Sequence, residues 1–120
     1  MEKLIFIVDD TFSILTMAAN ELEDDYRVMT MASAEKMFSM LLKMRPDLIL
    51  LDIEMPDITG FEALAKLKEN PEWSDIRVVF LTGFIDDSVL ARVSESGALG
   101  VMDKSEISTA LLSRVKECLE

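Results

Sequence analysis

The 120-residue chain contains no histidine. Without imidazole there is no nucleophile–histidine pair and no histidine-ligated metal. Any bound metal has to be a hard cation held by oxygen ligands. Cysteine is nearly absent: Cys118 stands alone, so no intramolecular disulfide can form, which fits a reducing, cytoplasmic setting. Basic residues are scarce, 12 Lys and Arg against 23 Asp and Glu, for a formal net charge of −11. A surface this acidic repels phosphate backbones, so direct nucleic-acid binding is not expected. Long apolar runs are missing too. None exceeds about six residues, whereas a membrane helix needs ~20. The N-terminal MEKLIFIVDD has neither the apolar length nor the cleavage pattern of a signal peptide, and no membrane association is expected.

What is present suits one globular domain over residues 1–120. Hydrophobic residues make up 50% and charged residues 29%, which excludes a disordered chain. Residues 4–8 (LIFIV), 48–51 (LILL) and 76–81 (IRVVFL) read as strands buried on both faces. Tyr26 to Met31 and the segment near 99–102 are less apolar and suit sheet edges. Helical spacing of apolar residues fills the intervals: Ile14, Leu15, Ala18, Ala19 and Leu22; then Met37, Phe38, Leu41 and Leu42; then Leu64 and Leu67; then Val89, Leu90 and Val93; and finally Ile107, Leu111, Leu112, Val115 and Leu119. Ser33 and Asp86-Asp87-Ser88 are placed to cap helices, and Gly97 to end one.

Strand and helix alternate five times, which predicts a parallel sheet with helices on both faces. With the most apolar strands central, the order becomes 2-1-3-4-5, a doubly wound, flavodoxin-like α/β fold whose ligand site lies where strands 1 and 3 diverge. Five polar groups stand where the apolar runs stop: Asp9 and Asp10, Asp52, Thr82 and Lys104. Taken singly, each reads as a turn, a cap or a solvated charge. On one edge of one sheet they become three carboxylates, a hydroxyl and an ammonium in one cleft. Crowded carboxylates repel, and Mg²⁺ relieves that repulsion on oxygen ligands alone. A carboxylate is also a nucleophile toward phosphorus, in a reaction that needs mainly positioning and charge neutralisation.

Four segments, VDD at 8–10, LLDIEMPDITG at 50–60, LTG at 81–83 and GALGVMDK at 97–104, make the chain resemble a response-regulator receiver domain of two-component signalling, similar to the single-domain chemotaxis type. The resemblance covers essentially the whole chain. It implies that Asp52 accepts the phosphoryl group, and that Asp9, Asp10, the Asp52 carboxylate and the Glu54 backbone carbonyl hold Mg²⁺. It implies that Thr82 is the switch hydroxyl and that Lys104 pairs with the phosphoryl group. The implied donor is a phosphohistidine on a sensor histidine kinase or a histidine phosphotransfer protein. The implied output is a downstream protein or a linked output domain, bound through a surface around the last two helices. The domain would then catalyse only its own phosphorylation and dephosphorylation.

Two positions depart from the family pattern. Val101 stands where receivers usually carry Tyr or Phe, leaving Phe84 or Met102 as substitutes. Ser105 follows Lys104 where a cis-proline is usual. A cis bond before a non-proline residue costs about 3 kcal/mol, so either a trans bond in a shifted loop or a strained cis bond is expected. These departures keep a second reading open, a degenerate receiver that binds partners without phosphorylation. A phosphatase of the haloacid dehalogenase type is disfavoured, because Phe12 stands where its second aspartate would be useful. A flavin carrier is disfavoured because the first loop is anionic. Asp57, Asp86 and Asp87 read as solvated loop and cap residues.

Overall fold

The computed structural model describes residues 2–120. Five strands and five α-helices alternate: β1 (Leu4–Val8), α1 (Phe12–Leu22), β2 (Arg27–Met31), α2 (Ala34–Leu41), β3 (Leu48–Asp52), α3 (Gly60–Glu69), β4 (Arg77–Thr82), α4 (Asp87–Ser96), β5 (Gly100–Asp103) and α5 (Ile107–Leu119). A 3₁₀ turn, Lys104–Glu106, precedes α5. The strands form one parallel sheet in the order β2-β1-β3-β4-β5, as the alternation predicts.

Side chains alternate across a strand, so each apolar run divides between two cores. Leu4, Phe6, Val8, Ile49, Leu51, Val78 and Phe80 face α2, α3 and α4. Ile5, Ile7, Leu48, Leu50, Val79 and Leu81 face α1 and α5. Every residue of β1 and β3 is buried, whereas β2 and β5 expose part of theirs. This is why the two weaker runs lie at the edges.

Two apolar residues expected inside are on the surface. Leu42 is 78% exposed, because α2 stops at Leu41 and Leu42 becomes its C-cap. Leu90 is 48% exposed, and Val93 is the buried residue of α4. Ser33 accepts from Lys36 N–H at 3.2 Å and Asp86 from Val89 N–H at 2.8 Å, capping α2 and α4 as expected. Gly97 ends α4 with φ of 88°, a left-handed conformation that glycine adopts without strain.

Gly60 has a different reason to be glycine. Its N–H donates to the Ile53 carbonyl at 2.7 Å. A β-carbon there would collide with the Asp52 carbonyl oxygen and lie 2.9 Å from Ile53 Cα. Both neighbours are backbone at the end of β3, so neither can turn aside. Gly60→Ala is expected to cost about 2 kcal/mol, an overpacking penalty, read as a lower urea midpoint with an unchanged slope. An unchanged midpoint would refute the close approach.

Candidate functional site

The C-terminal ends of β1, β3, β4 and β5 converge on one edge of the sheet. Asp9 follows β1 and is fully buried; Asp52 and Thr82 are the last residues of β3 and β4, 2% and 5% exposed. Lys104 follows β5. Their placement comes from register: Asp52 pairs with Leu81 and Thr82 with Asp103. The four chain positions therefore end at one level, although they are far apart in sequence.

Lys104 lies between two of the acids. Its Nζ is 2.8 Å from Asp9 Oδ2 and 3.1 Å from Asp52 Oδ1. Asp9 Oδ1 accepts from Thr11 N–H at 2.8 Å, and Asp52 Oδ1 accepts from Glu54 N–H at 3.2 Å. Asp9 is thus also a turn residue. Asp52 Oδ2 is buried without a hydrogen-bond partner among the described residues, whereas Asp9 Oδ2 is met by the Lys104 ammonium. Buried acceptors seldom stay unpaired. Asp10 is exposed beside them. One carboxylate oxygen from each of Asp9, Asp10 and Asp52 lies within 4.8 Å of the others.

This is an anionic oxygen cluster with one buried orphan acceptor, Asp52 Oδ2, and one ammonium for three carboxylates. That donor set fits a hard divalent cation and offers nothing to a soft one. Burial pushes the Asp52 carboxyl up, and neighbouring Asp9 adds to this, against the Lys104 ammonium and the Glu54 N–H; its pKa rises to about 6. For Lys104, burial acts downward, but bonding to Asp9 and Asp52 prevails and the pKa is raised. The lysine stays charged at neutral pH.

Asp52, Glu54, Thr82, Gly83, Phe84 and Lys104 line a cleft of about 260 Å³. Thr82 Oγ1 donates to the Phe84 carbonyl at 3.2 Å and accepts from Phe84 N–H at 3.3 Å. The hydroxyl is therefore held in a local turn by weak bonds. Neither substitute for an aromatic at position 101 takes that place. Phe84 is 58% exposed, and Met102 is buried in the core beneath α1 and α5. Val101 packs, half-buried, on the opposite core. An aromatic contact not anticipated from sequence lies on that side. Phe61 packs against Phe80 with the rings tilted at 54° and centroids 4.8 Å apart, and the Arg92 guanidinium sits 4.1 Å above the Phe61 ring, tying α4 to α3. The described residues contain no cis peptide bond. The Lys104–Ser105 bond is trans, and Asp103 caps the 3₁₀ turn by accepting from Ser105 N–H at 2.9 Å.

The doubly wound sheet thus carries an acidic cluster and a lysine ammonium where β1 and β3 diverge. The chain belongs to the response regulator receiver domain family, whose pattern matches residues 5–116. It is a receiver domain of the two-component type. Sporulation initiation phosphotransferase F of Bacillus subtilis is 33% identical over 101 residues, covering 82% of this chain and 79% of that protein. Among solved structures, the BeF₃-activated DrrB receiver domain of Thermotoga maritima is 31% identical with a TM-score of 0.87, covering 99% of this chain and 98% of that one. Chemotaxis protein CheY4 of Vibrio cholerae is 27% identical with a TM-score of 0.92, covering 99% and 100%. The chain spans about a quarter of the length of other curated relatives, 24% and 26% of two of them. No helix among the described residues is long and apolar enough to cross a membrane.

Proposed function

We propose that Asp52 is a phosphoacceptor and that its phosphorylation switches a protein-binding surface of this domain. The observation that carries the reading is the state of the Asp52 carboxylate. Oδ1 is held by Lys104 and by Glu54 N–H, while Oδ2 is buried and unpartnered. The held oxygen orients the group, and the unpartnered one is the nucleophile in this reading. In the transfer, an Asp52 Oδ–P bond forms as the P–N bond of a donor phosphohistidine breaks, and the departing imidazole nitrogen takes a proton from water. Lys104 stays cationic and neutralises charge on the phosphoryl oxygens. Thr82 exchanges its weak turn bonds for a hydrogen bond to one of those oxygens, which moves the β4–α4 loop. Asp9, Asp10, Asp52 and the Glu54 carbonyl would hold Mg²⁺, which supplies charge neutralisation on the transferring group. A histidine kinase or phosphotransfer protein is the donor in this reading, and a separate or linked protein is the target.

The test is intact mass after incubation with Mg²⁺ and acetyl phosphate. One added phosphoryl group is expected, dependent on Mg²⁺ and absent in Asp52→Asn. A gain that survives in the variant would overturn the assignment. No gain from either acetyl phosphate or a phosphorylated donor protein would favour the phosphorylation-independent binding module, the reading that Val101 and Ser105 support.

A further inference from the structure

We propose that Asp57 is a positioning residue for the phosphorylation site, clamping the β3–α3 loop so that the Glu54 carbonyl faces the acidic cluster. The inference rests on the proposed reading of that cluster and deepens it.

The loop, residues 53–59, leaves the site directly after Asp52. Its start is fixed to the sheet: Ile53 N–H donates to the Leu81 carbonyl at 3.0 Å, and the Ile53 carbonyl accepts from Gly60. Its end is fixed by a capping box, in which Thr59 Oγ1 accepts from Glu62 N–H at 3.1 Å and Glu62 accepts from Thr59 N–H at 3.0 Å. Between these ends Pro56 has no N–H, and Met55 and Ile58 rest half-buried on the core. Asp57 supplies the directional bond to another element. Its Oδ2 accepts from Glu35 N–H, in the first turn of α2, at 3.0 Å. Glu35 is twenty-two residues away in sequence, so the bond joins two parts of the fold.

Asp57 is an exposed loop residue, as its sequence context implied, but its carboxylate also accepts a bond from a distant helix. Slight burial acts upward on its carboxyl, but N–H groups of Glu35, Ile58, Asp57 itself and Ala34 prevail and hold its pKa below the ordinary range. Nor is it needed merely to cap α2, because Ser33 already does so from the N-cap position. Two acceptors therefore serve one helix terminus, and the second comes from the loop that carries Glu54. A charge-assisted bond there is stronger than a neutral one. It fixes the middle of a loop whose carbonyl orientation a cation would feel, because Mg²⁺ demands near-ideal octahedral geometry.

The experiment measures Mg²⁺ affinity by calorimetry and the acetyl phosphate reaction by intact mass, in the parent, Asp57→Ala, Asp57→Asn and Ser33→Ala, with thermal unfolding of each. Asp57→Ala is expected to weaken Mg²⁺ binding about fivefold, a fraction of the worth of one charged hydrogen bond. Asp57→Asn, which keeps an acceptor oxygen, should recover part of that loss. Ser33→Ala should lower the melting temperature at least as much and leave Mg²⁺ affinity within about twofold. Equal Mg²⁺ affinity in Asp57→Ala and the parent would overturn the clamp. So would equal weakening in Asp57→Ala and Ser33→Ala, since general loosening of α2 would explain it. Should Asp57→Ala fail to fold, Asp57→Asn against Ser33→Ala decides on the same readout. A parent that neither binds Mg²⁺ nor takes a phosphoryl group would overturn the reading of the cluster itself, and the clamp with it.

Discussion

Asp52→Asn is expected to abolish phosphoryl incorporation and, in the same protein without metal, to raise stability above pH 6. The second effect follows from the first residue's environment. In the unfolded chain the Asp52 carboxyl titrates near 3.8; in the folded protein, burial lifts it to about 6. Between those values the folded state holds a proton that the unfolded state has released. Stability from this group is therefore greatest below about pH 4 and falls as pH rises through the window to about 6. The full cost above it approaches about 3 kcal/mol, two pKa units at 1.36 kcal/mol each. Asparagine keeps the shape and carries no charge, so the variant lacks this decline. The stability gap between variant and parent should grow from about 0.5 kcal/mol at pH 4 to about 3 kcal/mol at pH 7.5, measured by urea unfolding without metal. Mg²⁺ should then narrow the gap by stabilising the parent alone. A gap that is the same at both pH values would contradict the assigned burial of a charged Asp52.

The opposite sign is expected for Lys104→Met. The lysine is the one cation within ion-pair distance of Asp9 and Asp52, among the described residues. Its raised pKa means that its stabilisation is fully present below 10.5, the unfolded value, and is lost only as pH climbs through the higher folded value. Removing it leaves two carboxylates buried with no counter-charge, a change that costs about 3 kcal/mol or more in comparable settings. Near pH 8 the variant should show that loss in full. Near pH 5 the loss should shrink, because Asp52 then takes up a proton. Added Mg²⁺ should restore part of it at pH 8, by replacing one cation with another. If Mg²⁺ stabilises parent and variant equally at pH 8, the cation and the lysine do not serve the same carboxylates.

These two substitutions act on one arrangement from opposite sides. The site holds three carboxylates and one ammonium, and the fold bears the cost of that excess negative charge.

Sequence alone determined the strand order, because burial on both faces leaves an unbroken apolar run and edge position leaves a broken one; β1 and β3 against β2 and β5 are the example. It also placed Asp9, Asp52, Thr82 and Lys104 at one sheet edge, since strand ends are fixed by where the apolar run stops. Tertiary structure decided what no local pattern encodes. Leu42 fits the helical repeat, yet it is exposed because α2 ends one residue earlier. Asp57 has the local signature of a loop tip, yet its partner is an N–H in another helix. The Lys104–Ser105 bond is trans, the ordinary form before a non-proline residue, and the 3₁₀ turn that contains it is capped by Asp103. Periodicity records which face of an element meets apolar surroundings; it carries no record of which distant backbone group a side chain will find. That information exists only once β3, α2 and the loop between β3 and α3 have been brought together by burying the core.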